Sequence, residues 1–444
     1  MDDGVSSHTK RLWTYALILI SVVSLVVVVV GLLLPRADPE LTTAPTSSSQ
    51  EPDPAAPEMP DVVEEPVDLD APIPGCDVVE TPDEGYSVIT GTSGEPSYDN
   101  PKFPWFNGPK ATEMSNAVAE LLPSKAEIEF ASPERSLIFQ PITDFGEDTP
   151  DQSDGYTSAN GSVINREAKG SLYVSVAQSS RPIPPCVAGA LDERRTLPDG
   201  VLVDVQDTWR ETDGVRTLSR SAIAYVPDNS RISAQASDAS GRTGAENSGA
   251  IPVTVDDLVR IVTDPRLRIS TPVPPGTPAP PAGCRSGSFD DSGPSVTREQ
   301  ARKLDTVLAS IDLGGAKLPP LQLGRYSEAL LCTGVPNVTP TAALDISITG
   351  GQKLPVEERP VRGAGSQKTL RTLADGTVVQ TDVSFSSSRS MTNPDDYTSE
   401  AINSVVVTRP AGTQISVSST APSPDEALPL PQLESIALTP GLEL

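Results

Sequence analysis

The chain of 444 residues has one histidine, His8, and four cysteines, Cys76, Cys186, Cys284 and Cys332. A Ser-His-Asp or Cys-His nucleophile needs an imidazole beside it. His8 stands just before a long apolar run that separates it from all four cysteines, so the main body holds no imidazole for catalysis or metal binding. The cysteines show no C-x-x-C spacing, which removes thiol redox and zinc motifs. No Walker loop, no G-x-G-x-x-G after a strand and no S-x-x-K with its companion motifs occurs, so no cofactor is expected.

Carboxylates are the remaining chemical resource, with 60 Asp and Glu against 33 Lys and Arg. Glycoside hydrolysis requires a buried pair with separated pKa values, usually beside sugar-stacking aromatics, and aromatics are only 4% of this chain. The densest acidic loop is Asp144, Glu147, Asp148, Asp151 and Asp154, ending at Gly155. Clustered oxygens can bind Ca²⁺, but this spacing departs from the EF-hand loop, and a solvated loop between strands is the expectation. Phe103, Trp105 and Phe106 lie between Pro101 and Pro109. Exposed, they make a recognition platform for a peptide or glycan; buried, they close a core where the chain enters a helix, which the ordinary fate of aromatic rings favours.

These residues sit on a chain whose compartment is legible. Leu12 to Leu34 contains no charge and is dominated by Val, Leu and Ile. As a helix it would reach roughly 34 Å, enough for a hydrocarbon core of about 30 Å. The run is longer than a signal-peptide core and no A-x-A-like site follows, so a retained membrane anchor is expected. Lys10 and Arg11 precede it, Arg36 follows, and the next basic residue is Lys102, which places the short tail of residues 1–11 in the cytoplasm and the body outside. All four cysteines then fall on the side where disulfides persist. Four cysteines allow three pairings.

The net charge of −27 argues against nucleic acid as a partner. Much of it lies between residues 37 and 101, which hold 16 acidic and no basic groups. Residues 35–75 contain ten prolines and read as a disordered, acidic stalk. A second Pro-rich break, residues 271–283, divides the body into residues 76–270 and 284–444.

The two parts read as copies. Pro-Gly-Cys76 and Ala-Gly-Cys284 open them, Thr196-Leu197-Pro198-Asp199-Gly200 is matched by Thr372-Leu373-Ala374-Asp375-Gly376, and Leu258, Ile261, Pro265 and Leu267 are matched by Leu433, Ile436, Pro440 and Leu442. That repeat favours the pairings Cys76 with Cys186 and Cys284 with Cys332. Each copy has the order helix, strands, helix. The opening helices are carried by Met114, Ala117, Val118, Leu121 and Leu122 and by Ala301, Leu304, Leu308 and Ile311, the latter behind a Thr297–Gln300 capping pair. Strands are expected at 136–142, 171–177, 201–209, 221–226 and 231–236, with turns at Asp213-Gly214 and Pro227-Asp228-Asn229. The second copy repeats them at 378–385, 401–408 and 414–418. Closing helices follow, one capped by Thr254 and Asp257 and one near 431–438. The fold class is α+β: two tandem related domains, each a mainly antiparallel sheet with helices on one face.

The recurring Leu-x-Asp-Gly before a valine-rich strand, the turns at Pro227-Asp228-Asn229 and Pro410-Ala411-Gly412, and the closing Val255-Asp256-Asp257-Leu258 with Thr263-Asp264-Pro265-Arg266-Leu267 resemble the exterior regions of uncharacterised single-pass membrane proteins of actinobacteria. The resemblance covers both folded copies and implies no activity or site residue. Together these features give the expectation of a membrane-anchored, non-enzymatic exterior module that binds an envelope protein or glycan, with a carboxylate-dependent envelope hydrolase as the alternative.

Overall fold

The structure, a computed structural model, describes residues 61–82, 95–144, 155–239, 247–281, 293–325, 327–356, 367–389 and 397–444. The expected span 12–34, the stalk up to residue 60, Cys284 and acidic-loop residues 147–154 lie outside these. Among the described residues no helix is long and apolar enough to cross a membrane.

The first part runs β1 (Val62–Glu64), β2 (Val79–Glu80), β3 (Glu95–Ser97), α1 (Gly108–Leu121), β4 (Ala126–Ile128), β5 (Ile142–Asp144), β6 (Tyr156–Asn165), β7 (Ala168–Gln178), β8 (Cys186–Val187), β9 (Glu193–Thr196), β10 (Leu202–Thr212), β11 (Val215–Tyr225), β12 (Ser230–Ser237) and α2 (Val255–Thr263). The second runs α3 (Arg298–Leu308), β13 (Gln322–Leu323), β14 (Leu330–Val335), β15 (Ala343–Thr349), β16 (Gln367–Thr372), β17 (Val378–Arg389), β18 (Tyr397–Thr408), β19 (Gln414–Pro422) and α4 (Leu430–Ala437).

Two large antiparallel sheets result. The first has the neighbour order β1-β10-β11-β12-β7-β6-β4, with β9 also on β10; the second has β13-β14-β15-β19-β18-β17-β16. Matching β4, β6, β7, β9, β10, β11 and β12 with β13, β14, β15, β16, β17, β18 and β19 gives one shared connection order, each preceded by a helix and closed by another. Residues Asp61–Leu444 pack as one unit.

Alternation along the strands explains how each sheet meets its helices. In the first sheet, Val203, Ala224, Ile232 and Val176 are successive cross-strand partners, as are Val205, Ala222, Ala234, Val174 and Ala159, and all are buried. In the second, Val379, Val407, Ile415, Ile348 and Leu331 form the matching row. A period of two sends these residues to one face and their Ser, Thr and Gln neighbours to the other. Leu258, Ile261 and Val262 of α2 cover the first inner face, and Leu433, Ile436 and Ala437 of α4 cover the second.

The helix ends follow local chemistry. Asn107 Oδ1 accepts from Lys110 N at 2.9 Å, and Pro109 occupies the first turn of α1. Thr254 and Asp257 form a reciprocal capping box at α2, and Thr297 and Gln300 form another at α3. The hairpins turn where left-handed residues permit it, at Asp213-Gly214 (φ 50° and 79°) and at Asn229 (φ 68°).

Two expectations require correction. Residues 136–141 do not form a strand, and Ile142 instead opens β5, which pairs with β3. A 3₁₀ turn at Pro133–Arg135 leads into Leu137 with φ 56°, and Ser136 Oγ donates to the carbonyls of Ala131 and Ser132, so the ladder to β6 is reduced to a bridge at Ser136–Gly161. Residues 61–75, read as the end of the stalk, are ordered against the first sheet, where β1 extends the edge of β10 with Val62 opposite Thr212 and Glu64 opposite Arg210. An exposed strand edge with unpaired backbone groups accepts an extended segment whatever its composition.

Candidate functional site

The aromatic segment lies at the entry to α1. Phe106 is 2% exposed, and Phe103 and Trp105 are half-buried against the same core. The Phe106 ring lies 5.4 Å from Trp105 and 6.0 Å from Tyr98, and the Phe103 ring fills the space beside Gly155. Tyr98 Oη donates to the Phe139 carbonyl at 3.1 Å; burial, and secondarily the Glu134 carboxylate, push its phenol up to about 12. Phe106 therefore closes the core and is not free to serve as a surface platform.

A disulfide joins Cys76 to Cys186, and Cys332 is disulfide-bonded as well. Around the first bridge, β2 pairs with β8, and Ile73, Cys186 and Leu191 make a small apolar cluster. Gly75 has φ 81°, and a Cβ there would meet the Arg194 carbonyl oxygen at 1.8 Å, so this turn before the cysteine requires glycine. Arg194 N donates to the Pro74 carbonyl at 2.9 Å. The Arg194 guanidinium grips Asp204 through Nε at 2.6 Å and Nη2 at 2.8 Å, and this bonding raises its already high pKa further.

Residues 61–75 thus form a strap tied at both ends. At the outer end Asp61 N donates to Asp213 Oδ1 at 2.9 Å, and Asp213 N donates back to the Asp61 carbonyl at 2.8 Å. Between the ties the strap borders, with the polar face of the first sheet, a groove of about 770 Å³ that is open to solvent. Its strap wall carries Glu64, Glu65 and Asp68; its floor carries Gln206, Thr208 and Ser219 from β10 and β11 and Gln235 and Ser237 from β12. The far wall is the 188–192 loop, held by Gln206 Nε2 donating to the Gly189 carbonyl at 2.6 Å and by Asp192 Oδ2 accepting from Asp207 N at 2.6 Å. Volumes of this order are those of small-ligand sites.

None of the groove residues stood out in the sequence. The visible signal was the polar half of the strand alternation, which reads as solvent-facing; the missing knowledge was that a segment read as stalk lies across it.

A second, smaller cleft of about 260 Å³ lies where the two parts meet, between Ile128, Phe130, Pro133, Arg298 and Gln322. Arg298 Nη2 donates to the Ile128 carbonyl at 2.9 Å, and its guanidinium stacks 5.5 Å from the Phe130 ring. Here the first part's β4 edge is pinned to the N-terminal turn of α3.

No family model matches the chain, and no curated protein matches it. Among solved structures, the crystal structure of the di-domain ARO/CYC StfQ from the steffimycin biosynthetic pathway is similar at 11% identity and a TM-score of 0.11, over 70% of this chain and 81% of that one. At that score the likeness carries no argument about fold or function.

Proposed function

We propose that the chain is a binding module of the cell exterior, held at a membrane by residues 12–34 and acting without catalysis. The disulfide-framed groove between the strap and the first sheet is the observation that carries this reading. The Cys76–Cys186 bridge supports an oxidising compartment, which agrees with an uncharged run of membrane-spanning length at residues 12–34. The groove is preformed, and its floor is built on strands rather than loops, which suits recognition with little ordering cost. Its strap carboxylates Glu64, Glu65 and Asp68 are exposed, whereas acid-base work by a carboxylate pair depends on burial that drives the two pKa values apart. The repeated fold adds a second sheet on the same chain, so that two sites could act together at high effective concentration.

The test is retention of envelope extracts by the full-length chain immobilised in mild detergent. Capture of a defined envelope component that is lost when Gln206 and Gln235 are both changed to Ala is the expected result. Failure to retain any protein, glycan or lipid would remove the reading.

A further inference from the structure

We infer that the strap groove takes a neutral, hydroxyl-rich ligand, a short saccharide; this rests on the proposed binding role and names the ligand class of the same groove. The floor is a regular array. Thr208, Ser219, Ser237 and Ser171 are successive cross-strand partners over β10, β11, β12 and β7. In the next row Gln206, Ser221, Gln235 and Tyr173 are successive partners. Strands about 4.8 Å apart therefore present a lattice of hydroxyls and carboxamides, each able both to donate and to accept. Sugar hydroxyls have that same dual character.

Part of this lattice's capacity is unused. Among the described residues the side chains of Thr208, Ser219 and Gln235 have no hydrogen-bond partner, while Ser171 and Ser237 bond each other and Gln206 gives one N–H to Gly189. Opposite them the strap offers only acceptors, the carboxylates of Glu64, Glu65 and Asp68. A carboxylate accepts from two adjacent hydroxyls at once, so donors on the ligand are satisfied by the strap and acceptors by the floor.

Charge and polarity disfavour anionic ligands and long apolar chains. Arg210 is the one cationic side chain lining the groove, against four carboxylates counting Asp192, which disfavours phosphate or carboxylate ligands. The lining is too polar to hold a long acyl chain: Ile73 and Leu191 belong to the cluster at the disulfide end, while the strap carboxylates and the hydroxyls and carboxamides of the floor make up much of the rest. Tyr173, 36% exposed, is the cross-strand partner of Gln235 and adjoins the lining rather than forming part of it; from there an aromatic ring can cover the C–H face of a pyranose that extends past Gln235.

The probes are neutral di- to tetrasaccharides of glucose, mannose, galactose and N-acetylglucosamine, titrated calorimetrically into the full-length chain in detergent. Saturable binding to at least one is expected, with at least a tenfold loss for Gln235→Ala with Ser219→Ala and for Tyr173→Ala, each variant's retained fold being checked by circular dichroism. No heat from any saccharide at millimolar concentration overturns the ligand class. Saccharide binding that survives both variants overturns the groove as its site. Envelope capture that persists without saccharide binding separates the two failures: it leaves the binding module standing and sinks only the ligand class.

Discussion

Lys110 is 2% exposed in the first core, yet no carboxylate among the described residues forms an ion pair with it. Its ammonium donates instead to three carbonyls, those of Arg266 at 3.1 Å, Arg268 at 2.8 Å and Thr271 at 2.9 Å. The three donors of the ammonium match three acceptors in the chain that leads from α2 into the Pro-rich linker, so one side chain ties the end of the first part back to its opening helix. Burial pushes this lysine down to about 8, with Glu113 and Asp228 pulling the other way. A lysine whose folded value is depressed binds fewer protons folded than unfolded between about pH 8 and 10.5, so its contribution to stability rises through that window, by about 3 kcal/mol at most. Urea unfolding of the wild type and Lys110→Met across that range should show a growing difference in favour of the wild type. A constant difference would mean that the three carbonyls hold the ammonium at its ordinary value. At pH 7 the substitution should itself cost roughly 3 kcal/mol, because three partly buried carbonyls lose their donor. Phe106→Ala should cost about 3 to 5 kcal/mol by the same melts, as a large buried ring leaves a cavity. A loss under 1 kcal/mol would return Phe106 to the surface.

At the scale of elements, the caps were the most legible features. The spacings Thr254-x-x-Asp257 and Thr297-x-x-Gln300 mark the starts of α2 and α3, because the chemistry of a capping box is contained within four residues. Thr254→Ala should lower stability by about 1 kcal/mol. Burial pushes the Asp257 carboxyl up, but bonds from Thr254 N and Oγ1 and from Arg260 outweigh it and hold the group below its ordinary value. The cap therefore contributes fully above the unfolded carboxylate range and is lost as pH falls through the folded value. The deficit of Thr254→Ala, measured by thermal melts, should shrink on acidification; a deficit independent of pH would remove Asp257 from the cap. Strand β6 was harder to read than its neighbours. Its Thr157-Ser158-Ala159-Asn160-Gly161-Ser162 run lacks the β-branched and aromatic density of a strand and is held by long-range pairing with β7. The 136–142 segment shows the reverse. Its composition is strand-like, but a 3₁₀ turn and a left-handed leucine divert it.

For the molecule as a whole, the Cys76–Cys186 bridge closes a loop of 110 residues and fastens the strap. The chain-entropy model gives about 4 to 5 kcal/mol for such a loop. A Cys76→Ser, Cys186→Ser double variant should lose stability of that order, and limited proteolysis should then cut first between residues 61 and 76. A strap that stays protected in the variant would show that β1 and the Asp61–Asp213 pairing hold it unaided. The sequence by itself determined the helix caps, the turn positions, the duplicated order of elements and the apolar faces of the strands, because each is set by neighbours along the chain or by a short period. It also carried the uncharged run at 12–34, which is a property of composition. Only the tertiary structure decided that residues 61–75 lie on the first sheet, that Lys110 is buried among carbonyls more than 150 residues away, and that a polar strand face becomes the floor of a groove. Those outcomes depend on which backbone edges and polar groups meet across the fold, and no local pattern of residue types records them.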